Sequence, residues 1–207
     1  MEDRWLSWAK RLQAISSTGQ FFGASDFDKE RYDEIFKIAN GMLASLGNVP
    51  MQQIAGLVPD AGEGYATPRV DVRGAIFRNQ RILLVQEKLD GLWTLPGGYA
   101  DVGASPAENI EKEVLEEANI AVKAVKLFGV FHKSRHEYQQ DARDFYKLFF
   151  ICEPLDDSEP EPGAETQATG YFELSKLPPL SKGRVIEKHI RLAYDYLDTP
   201  NLATVFD

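Results

Sequence analysis

The sequence has few of the features that mark secreted or membrane-spanning proteins. Its 207 residues include a single cysteine, Cys152, which excludes an internal disulfide and agrees with a reducing cytoplasm. No apolar run approaches the roughly 20 residues that a membrane-spanning helix needs. The first residues, Met-Glu-Asp-Arg-Trp, lack the continuous apolar core of a signal peptide. We therefore predict a cytoplasmic protein with no membrane partner.

Basic residues are also scarce, since 23 Lys and Arg stand against 32 Asp and Glu, for a net charge of -9. Residues 1–60 hold six basic and eight acidic side chains, a net charge of -2. Nucleic-acid-binding domains normally carry a basic patch, because neutralising phosphates supplies much of their affinity. The charge balance therefore argues against DNA as a partner. It also means that an anionic substrate needs a metal ion or local Lys and Arg side chains.

Helical periodicity dominates the first part of the chain. Two segments carry apolar residues at helical spacing: Trp5, Trp8, Leu12 and Ile15 in the first, and Tyr32, Ile35, Phe36, Ala39 and Leu43 in the second. A stretch rich in Gly and Pro at residues 58–68 separates this part from the rest. These patterns predict a small all-helical N-terminal domain at residues 1–62 and a second domain at residues 63–207.

The first of these apolar sets, Trp5, Trp8, Leu12 and Ile15, is called the aromatic stripe below. One interpretation is that it forms the core of the small helical domain, because large aromatic side chains bury much apolar area. The other is that it packs against a second subunit, because contiguous exposed apolar patches mark interaction sites. The sequence leaves both open, and the second predicts a homodimer.

The second part of the chain alternates strand and helix patterns. Apolar and β-branched runs predict strands at residues 70–77, 82–86, 122–132, 145–152 and near 171–172. A closing helix is predicted at residues 183–197. This order of elements predicts an α/β fold in which helices sandwich a mixed sheet.

An acidic helix follows a turn, Leu95-Pro96-Gly97-Gly98, which is called the glycine turn below. Ser105 suits the N-cap, and Glu108 completes a capping box with it. The helix then carries Glu113, Glu116 and Glu117, and residues three and four apart share a helix face. Three carboxylates within reach of one another favour a hard divalent cation, Mg²⁺ or Mn²⁺. The alternative is an ordinary solvated acidic face.

These residues resemble the signature of the Nudix hydrolases, which reads G, five residues, E, seven residues, R-E-apolar-x-E-E-x-G-apolar. Aligned on Gly98, the matching positions are Gly98, Glu113, Val114, Glu116, Glu117 and Ile120. Three positions depart from it, with Ala104 for the first Glu, Lys112 for the Arg and Asn119 for the second Gly. Asn tolerates the left-handed backbone of a helix end better than most residues. Asp101 is a candidate to replace the carboxylate missing at Ala104.

The resemblance implies a fold, a reaction and a set of ligands. The fold is an α/β/α sandwich, and the reaction is attack of water on a phosphoanhydride in a nucleoside diphosphate linked to another group. The implied ligands of Mg²⁺ or Mn²⁺ are Glu113, Glu116 and Glu117, with a backbone carbonyl near Gly97. Glu113 and Glu117 are also implied in catalysis. Glu165 lies in a loop where several members place the general base, and is either that base or an ordinary surface carboxylate.

Other residues are candidates for substrate binding. Arg69, Asp71 and Arg73 alternate along the first predicted strand and therefore share one face. That face is either a polar row facing the substrate or an exposed side of the sheet. His136 belongs to a small basic cluster that would suit phosphate, or else ends a strand in solvent. Tyr99, next to Gly98, is a candidate for the lip of the pocket.

Further segments extend the resemblance over nearly the whole chain. WLSWAKRLQAI, PRVDVRGAIF and LPGGYADVG are similar to a two-domain bacterial Nudix subgroup with a helical N-terminal domain. This resemblance implies substrates such as CDP-choline or ADP-ribose. The alternative is a nucleotide-sensing or regulatory Nudix module with weak catalysis, which the departures at Ala104 and Asn119 favour. The retained carboxylates at Glu113, Glu116 and Glu117 favour an enzyme.

Overall fold

The computed structural model describes residues 2–57 and 61–207. The chain forms two compact units. One runs from the N-terminus to Pro68 and includes Gln140–Asp144, and the other comprises Arg69–Gln139 and Phe145–Asp207. The stretch predicted to separate two domains begins with residues 58–60, which lie outside the described residues. The boundary between residues 62 and 63 stays a prediction.

The described residues of the first unit form three helices: α1 (Arg4–Phe22), α2 (Asp26–Gly47) and α3 (Met51–Ala55). Helix α1 begins at Asp3, whose carboxylate accepts hydrogen bonds from the backbone amides of Trp5 and Leu6. Helix α2 begins at the N-cap Ser25 and ends at Asn48, which has a left-handed backbone with φ 50°. The helical N-terminal part predicted from the sequence is confirmed.

The buried face of α1 differs from the face that the aromatic stripe suggests. Its buried side chains are mostly small or polar: Leu6, Ala9, Gln13, Ser16 and Ser17. The Gln13 amide donates from Nε2 to Oδ1 of Asn40 on α2 over 2.5 Å. The aromatic stripe is exposed, with Trp5 58% exposed and Ile15 55% exposed. The interpretation of the stripe as this unit's core is therefore wrong, because small and polar residues already fill the helix contact.

The described residues of the second unit form seven strands: β1 (Arg69–Arg78), β2 (Arg81–Glu87), β3 (Trp93–Thr94), β4 (Val122–His132), β5 (Phe145–Pro154), β6 (Thr166–Phe172) and β7 (Val205–Phe206). They make one sheet in the order β3-β2-β1-β5-β4-β7, with β6 paired to β2. Strand β1 runs parallel to β5 and antiparallel to β2. The sheet is therefore mixed.

Two helices cover the two faces of this sheet: α4 (Pro106–Ala118) and α5 (Glu187–Asp198). Successive side chains of a strand point to opposite faces. On β1, Val72 and Ile76 pack in the core that contains the apolar side of α4. Ala75 packs in the second core, with residues of α5. The predicted α/β/α sandwich is confirmed.

Several element boundaries differ from those predicted. The sequence does not predict β3 and β7, because two residues are too few to show an alternation. Strand β6 begins at Thr166, well before the predicted 171–172, and α5 begins at Glu187 rather than at residue 183. Within the described ranges, no helix is both long and apolar enough to cross a membrane.

A histidine of α5 is fully enclosed in the second core. His189 stacks on the Phe131 ring at 4.3 Å between centroids, and its Nδ1 lies 2.7 Å from the hydroxyl of Tyr138. Burial lowers the pKa of His189 to about 3, and the positive potential of His136 adds to this shift. The folded protein therefore holds His189 in its neutral form far below the ordinary pKa of histidine.

We expect this histidine to make folding sensitive to acid. Between pH 6.5 and about 3, the unfolded chain binds a proton at residue 189 that the folded chain does not, so stability falls as the pH falls. The contribution is about 1.4 kcal/mol in the free energy of unfolding for each pH unit in this window. Urea unfolding at pH 6.5, 5.5 and 4.5 should show a shallower pH dependence in His189→Gln than in the wild type. Equal slopes would contradict the assignment.

Candidate active site

The acidic helix begins and ends where the sequence predicts. The Ser105 hydroxyl accepts from the amide of Glu108 at 3.2 Å, and the Glu108 carboxylate accepts from the amide of Ser105 at 2.7 Å. These two bonds form the predicted capping box. At the other end, Asn119 caps α4 with a left-handed backbone, φ 53°. The departure from Gly at this position therefore leaves the helix end intact.

The glycine turn before the helix lies along an edge of β1. The amide of Val72 donates to the carbonyl of Gly98, and the amide of Gly74 donates to the carbonyl of Pro96, both at 2.9 Å. Gly97 has φ 139°, and a Cβ on it would lie 2.0 Å from the Val72 carbonyl oxygen. Only a residue without a side chain allows this approach. These contacts therefore fix the distance between the turn and β1.

Two of the predicted carboxylates face this turn. The Oε2 of Glu117 accepts from the amide of Gly97 at 2.9 Å. The Glu113 carboxylate lies against Gly98, with its Oε1 2.8 Å from the place that a Cβ would occupy. Burial raises the pKa of Glu113 to about 7 and that of Glu117 to about 8, although Arg73 opposes both shifts. The helix thus presents two carboxylates, one turn apart, whose ionised forms would be stabilised by a nearby positive charge.

The third predicted carboxylate stands apart from this pair. Glu116 is exposed, and its Oε1 lies 3.7 Å from Nζ of Lys112. Adjacent helix residues differ by about 100° in direction, which turns Glu116 away from the side occupied by Glu117. Among residues 2–57 and 61–207, no three His, Cys, Asp or Glu side chains are close enough to hold a metal ion. In this conformation Glu116 therefore lies apart from Glu113 and Glu117, and the metal site of three carboxylates stays a prediction.

The loop between the turn and α4 is organised by residues that the signature does not include. Asn109 is buried and accepts from the amide of Asp101 at 2.8 Å, while its Nδ2 donates to the carbonyls of Ala104 and Ser105. Asp101 pairs with Lys112 over 2.7 Å and is exposed. It therefore does not join Glu113 and Glu117, and its expected role as a replacement carboxylate is not supported.

Two residues of the predicted substrate-facing row are buried instead. Arg73 binds Asp71 through two hydrogen bonds, of 3.0 and 2.9 Å. Asp71 also accepts from Lys147 Nζ at 2.6 Å, and all three side chains are almost fully enclosed. The prediction of an open polar face at Asp71 and Arg73 is wrong, because the α5 side of β1 is covered by the second core. Half-buried Arg69 stays a candidate for substrate contact.

This buried cluster is joined to the glycine turn by Arg73. Its Nη1 donates to the carbonyl of Leu95 at 3.1 Å, two residues before Gly97. Burial opposes the charge of Asp71, but Arg73 and Lys147 together hold the pKa of Asp71 below its ordinary value. Burial lowers the pKa of Lys147 to about 8 despite this contact. Sequence reasoning missed Lys147, although a lone lysine inside an apolar strand was a usable signal.

The remaining predicted residues lie in varied surroundings. Tyr99 is about half exposed and stacks on Phe145, with ring centroids 5.4 Å apart, so its role as a pocket lip stays a prediction. His136 Nε2 lies 2.8 Å from Oδ1 of Asp207. A phosphate group at His136 would have to displace that carboxylate, so the structure gives no support to the predicted phosphate contact.

Glu165 is exposed in the last loop position before β6. Its negative charge contributes to the raised pKa of Glu113 on α4 and of Glu87 on β2. Its carbonyl accepts from the amide of Lys88 at 3.1 Å. The carboxylate therefore lies within electrostatic range of Glu113, and its role as a general base stays a prediction.

Two family models match the chain. One, described as a NUDIX domain, matches residues 67–193, and the other, described as a UDP-X-like, N-terminal oligomerisation domain, matches residues 3–58. The sequence is 37% identical to "Putative ADP-ribose pyrophosphatase YjhB" of Bacillus subtilis (strain 168), over 207 residues that cover 100% of this chain and 99% of the relative.

Solved structures give the same result. A crystal structure of a UDP-X diphosphatase is similar with a TM-score of 0.63 and 30% identity, covering 98% of both chains. A crystal structure of an ADP-ribose pyrophosphatase from Streptococcus suis 89-1591 is similar with a TM-score of 0.62 and 40% identity. That match covers 68% of this chain and 100% of the other.

We expect Arg73→Met to be strongly destabilising, because it removes a buried ion-pair partner of Asp71 and one of the two side-chain donors to the Leu95 carbonyl. Removing one member of a buried ion pair costs about 3 to 5 kcal/mol in the free energy of unfolding. Arg191→Met is the matched control, since Arg191 forms an exposed pair with Glu187 and such pairs contribute at most about 1 kcal/mol. Urea unfolding measures both. Similar losses in the two variants would contradict a structural role for the cluster.

Proposed function

The chain belongs to the Nudix hydrolases, and from this we propose that it cleaves the phosphoanhydride bond of a nucleoside diphosphate linked to a second group. Residues 63–207 are the proposed catalytic domain, and residues 1–62 the proposed N-terminal domain. The observation that carries the proposal is the pair of carboxylates, half-buried Glu113 and buried Glu117, held against Gly98 and Gly97. Their raised pKa values mark a site that favours a positive charge.

The donor set suits a hard divalent cation. Glu113, Glu117 and the carbonyl of Gly97 are the proposed ligands of Mg²⁺ or Mn²⁺, with Glu116 joining after its side chain leaves Lys112. All of these donors are oxygen atoms, and burial of the two inner carboxylates penalises their charge until a cation offsets it. When bound, such a cation neutralises charge on the substrate phosphates.

The proposed chemical step is an attack of water on phosphorus. Glu165 accepts a proton from the water while the water oxygen forms a bond to phosphorus. The anhydride P–O bond breaks, and the leaving phosphate takes the electron pair. Glu113 and Glu117 are the proposed catalytic carboxylates of α4. The backbone amide of Gly97 keeps Glu117 directed at the turn.

The relatives support a substrate class. One similar protein and one similar structure are named for ADP-ribose, and another structure is named for UDP-X. We propose that this chain takes a compound of that type, with ADP-ribose, UDP-linked compounds and CDP-choline as candidates. Arg69 and Tyr99 are the proposed substrate contacts on the surface near the turn, because Tyr99 follows Gly98 directly and pairs with β1 at Asp71.

We also propose that the chain forms a homodimer through the aromatic stripe. The stripe is exposed on α1, where large apolar side chains are costly to leave in water. The matched N-terminal family model is described as an oligomerisation domain. Trp5 and Trp8 contact each other edge to face, with centroids 5.1 Å apart, and form a continuous apolar surface for an identical partner.

Glu117→Gln should reduce hydrolysis by at least about 100-fold, because the amide keeps the shape of the side chain but loses its charge. Cleavage of ADP-ribose, UDP-linked compounds, CDP-choline and dinucleoside polyphosphates, with Mg²⁺ and then Mn²⁺, can be followed by separating the nucleotide products. Glu153→Gln, at an exposed carboxylate of β5, is the control and should keep full activity.

An unchanged rate of hydrolysis in Glu117→Gln would contradict the assignment of catalysis to the carboxylates of α4. Tight binding of one of these nucleotides by the wild type, with no cleavage under either metal, would favour the sensing or regulatory module instead.

Trp8→Glu should convert the dimer to a monomer, because a charge in the centre of an apolar contact loses its hydration. Light scattering after size-exclusion chromatography measures the mass. Phe27→Glu is the matched control, since Phe27 is an exposed aromatic residue at the start of α2, outside the stripe. A monomeric wild type, or a Trp8→Glu protein with the wild-type mass, would contradict the proposed interface.

A further inference from the structure

We propose that Asn119, Gly163 and Thr166 form a clamp that positions Glu165 for proton transfer. This set is called the helix-end clamp. The inference rests on the proposed function, in which Glu165 is the general base. None of the three residues is proposed to touch substrate, so they are positioning residues that act through the loop carrying Glu165.

Asn119 holds the loop at the C-terminal end of α4. Its side-chain amide Nδ2 donates to the carbonyls of Glu161 and Pro162, both at 3.2 Å. The amide of Glu161 in turn donates to the carbonyl of Ala118 at 3.0 Å. The last carbonyls of a helix lack hydrogen-bond partners within the helix. The loop supplies a donor to one of these carbonyls, that of Ala118, and the same bond fixes the loop to the helix end.

Thr166 and Gly163 form the second half of the clamp. The Thr166 hydroxyl donates to the carbonyl of Glu117 at 2.7 Å and accepts from the amide of Gly163 at 2.8 Å. Thr166 is buried, and a Cβ on Gly163 would lie only 1.7 Å from the carbonyl oxygen of Glu116. The loop backbone therefore rests directly on the turn of α4 that carries Glu116 and Glu117.

The position of Glu165 follows from these contacts. It lies between Gly163 and Thr166, both bonded to α4, and its own carbonyl accepts from Lys88 of the loop after β2. Nζ of Lys88 also donates to the carbonyl of Ala164 at 2.6 Å. An exposed carboxylate on a free loop would rarely reach a proton-transfer geometry, and fixing the backbone on both sides removes much of that entropic cost.

The clamp explains one departure from the family signature, the Asn at position 119. Asn119 stands where the signature has Gly, and it adopts the left-handed backbone that Gly would adopt. The substitution therefore adds a donor without changing the helix end. In this chain the added amide ties the catalytic helix to the loop that carries the proposed base.

The test measures kcat and KM for the best substrate in single variants. Thr166→Val removes the hydroxyl and keeps the volume, and Asn119→Gly removes the amide and keeps the backbone conformation. Each should lower kcat by about 10-fold with little change in KM, because small misplacement of a catalytic group is costly. Thr166→Ser should restore most of the rate. Thr204→Val, which removes a hydroxyl bonded to the Leu127 carbonyl, is the matched control and should retain full kcat.

A double-mutant comparison separates positioning from general loosening. In a Glu165→Gln background, Thr166→Val and Asn119→Gly should have no further effect on kcat, because the group that they position is gone. An equal loss in both backgrounds, or no loss in the wild type, would overturn the clamp. Full activity of Glu165→Gln would overturn the assignment of the base and the clamp with it. Absence of any cleavage by the wild type would instead mean that the proposed hydrolase function has failed.

Discussion

The close contact between Gly97 and β1 is the constraint on which the site depends. A Cβ on Gly97 would lie only 2.0 Å from the Val72 carbonyl oxygen. This close approach fixes both the distance between the turn and β1 and the orientation of the turn. The amide of Gly97 then meets Glu117, so the same residue sets the distance between the sheet and the acidic helix. The capping box at Ser105 fixes where that helix begins. The position of α4 is therefore fixed at its start and at Glu117, and this places the carboxylates of Glu113 and Glu117 against the turn.

Beneath the turn, the buried charges balance one another. Arg73 is shared between Asp71, the Leu95 carbonyl and the negative potential of Glu117, while Lys147 adds a second positive charge to Asp71. A single buried charge would be very costly, but a hydrogen-bonded set of opposite charges lowers that cost. Because Arg73 touches the turn itself, this cluster stabilises the same backbone that supports the site. Stability and site geometry are thus linked through one guanidinium group.

The N-terminal helices follow a different rule. Helix α1 buries small and polar side chains against its neighbour and leaves its aromatic stripe in solvent. Such an arrangement lets two helices approach closely, and the hydrogen bond from the Gln13 amide to Asn40 Oδ1 fixes their register. It also leaves the most apolar surface of the helix available for another protein, which is the basis of the proposed dimer.

Local sequence patterns are enough to predict most of the longer elements and the capped start of the acidic helix. Alternation predicted β1, β2, β4 and β5, and the capping box predicted the start of α4, because these signals depend on neighbours in the chain. Contacts between distant parts of the chain bury Asp71 and Arg73, place Glu116 apart from Glu117, and bring Thr166 to the carbonyl of Glu117. The same holds for the aromatic stripe, whose spacing fits a core as well as an exposed face. Periodicity shows which residues share a face, but what covers that face is set by contacts between residues far apart in the chain.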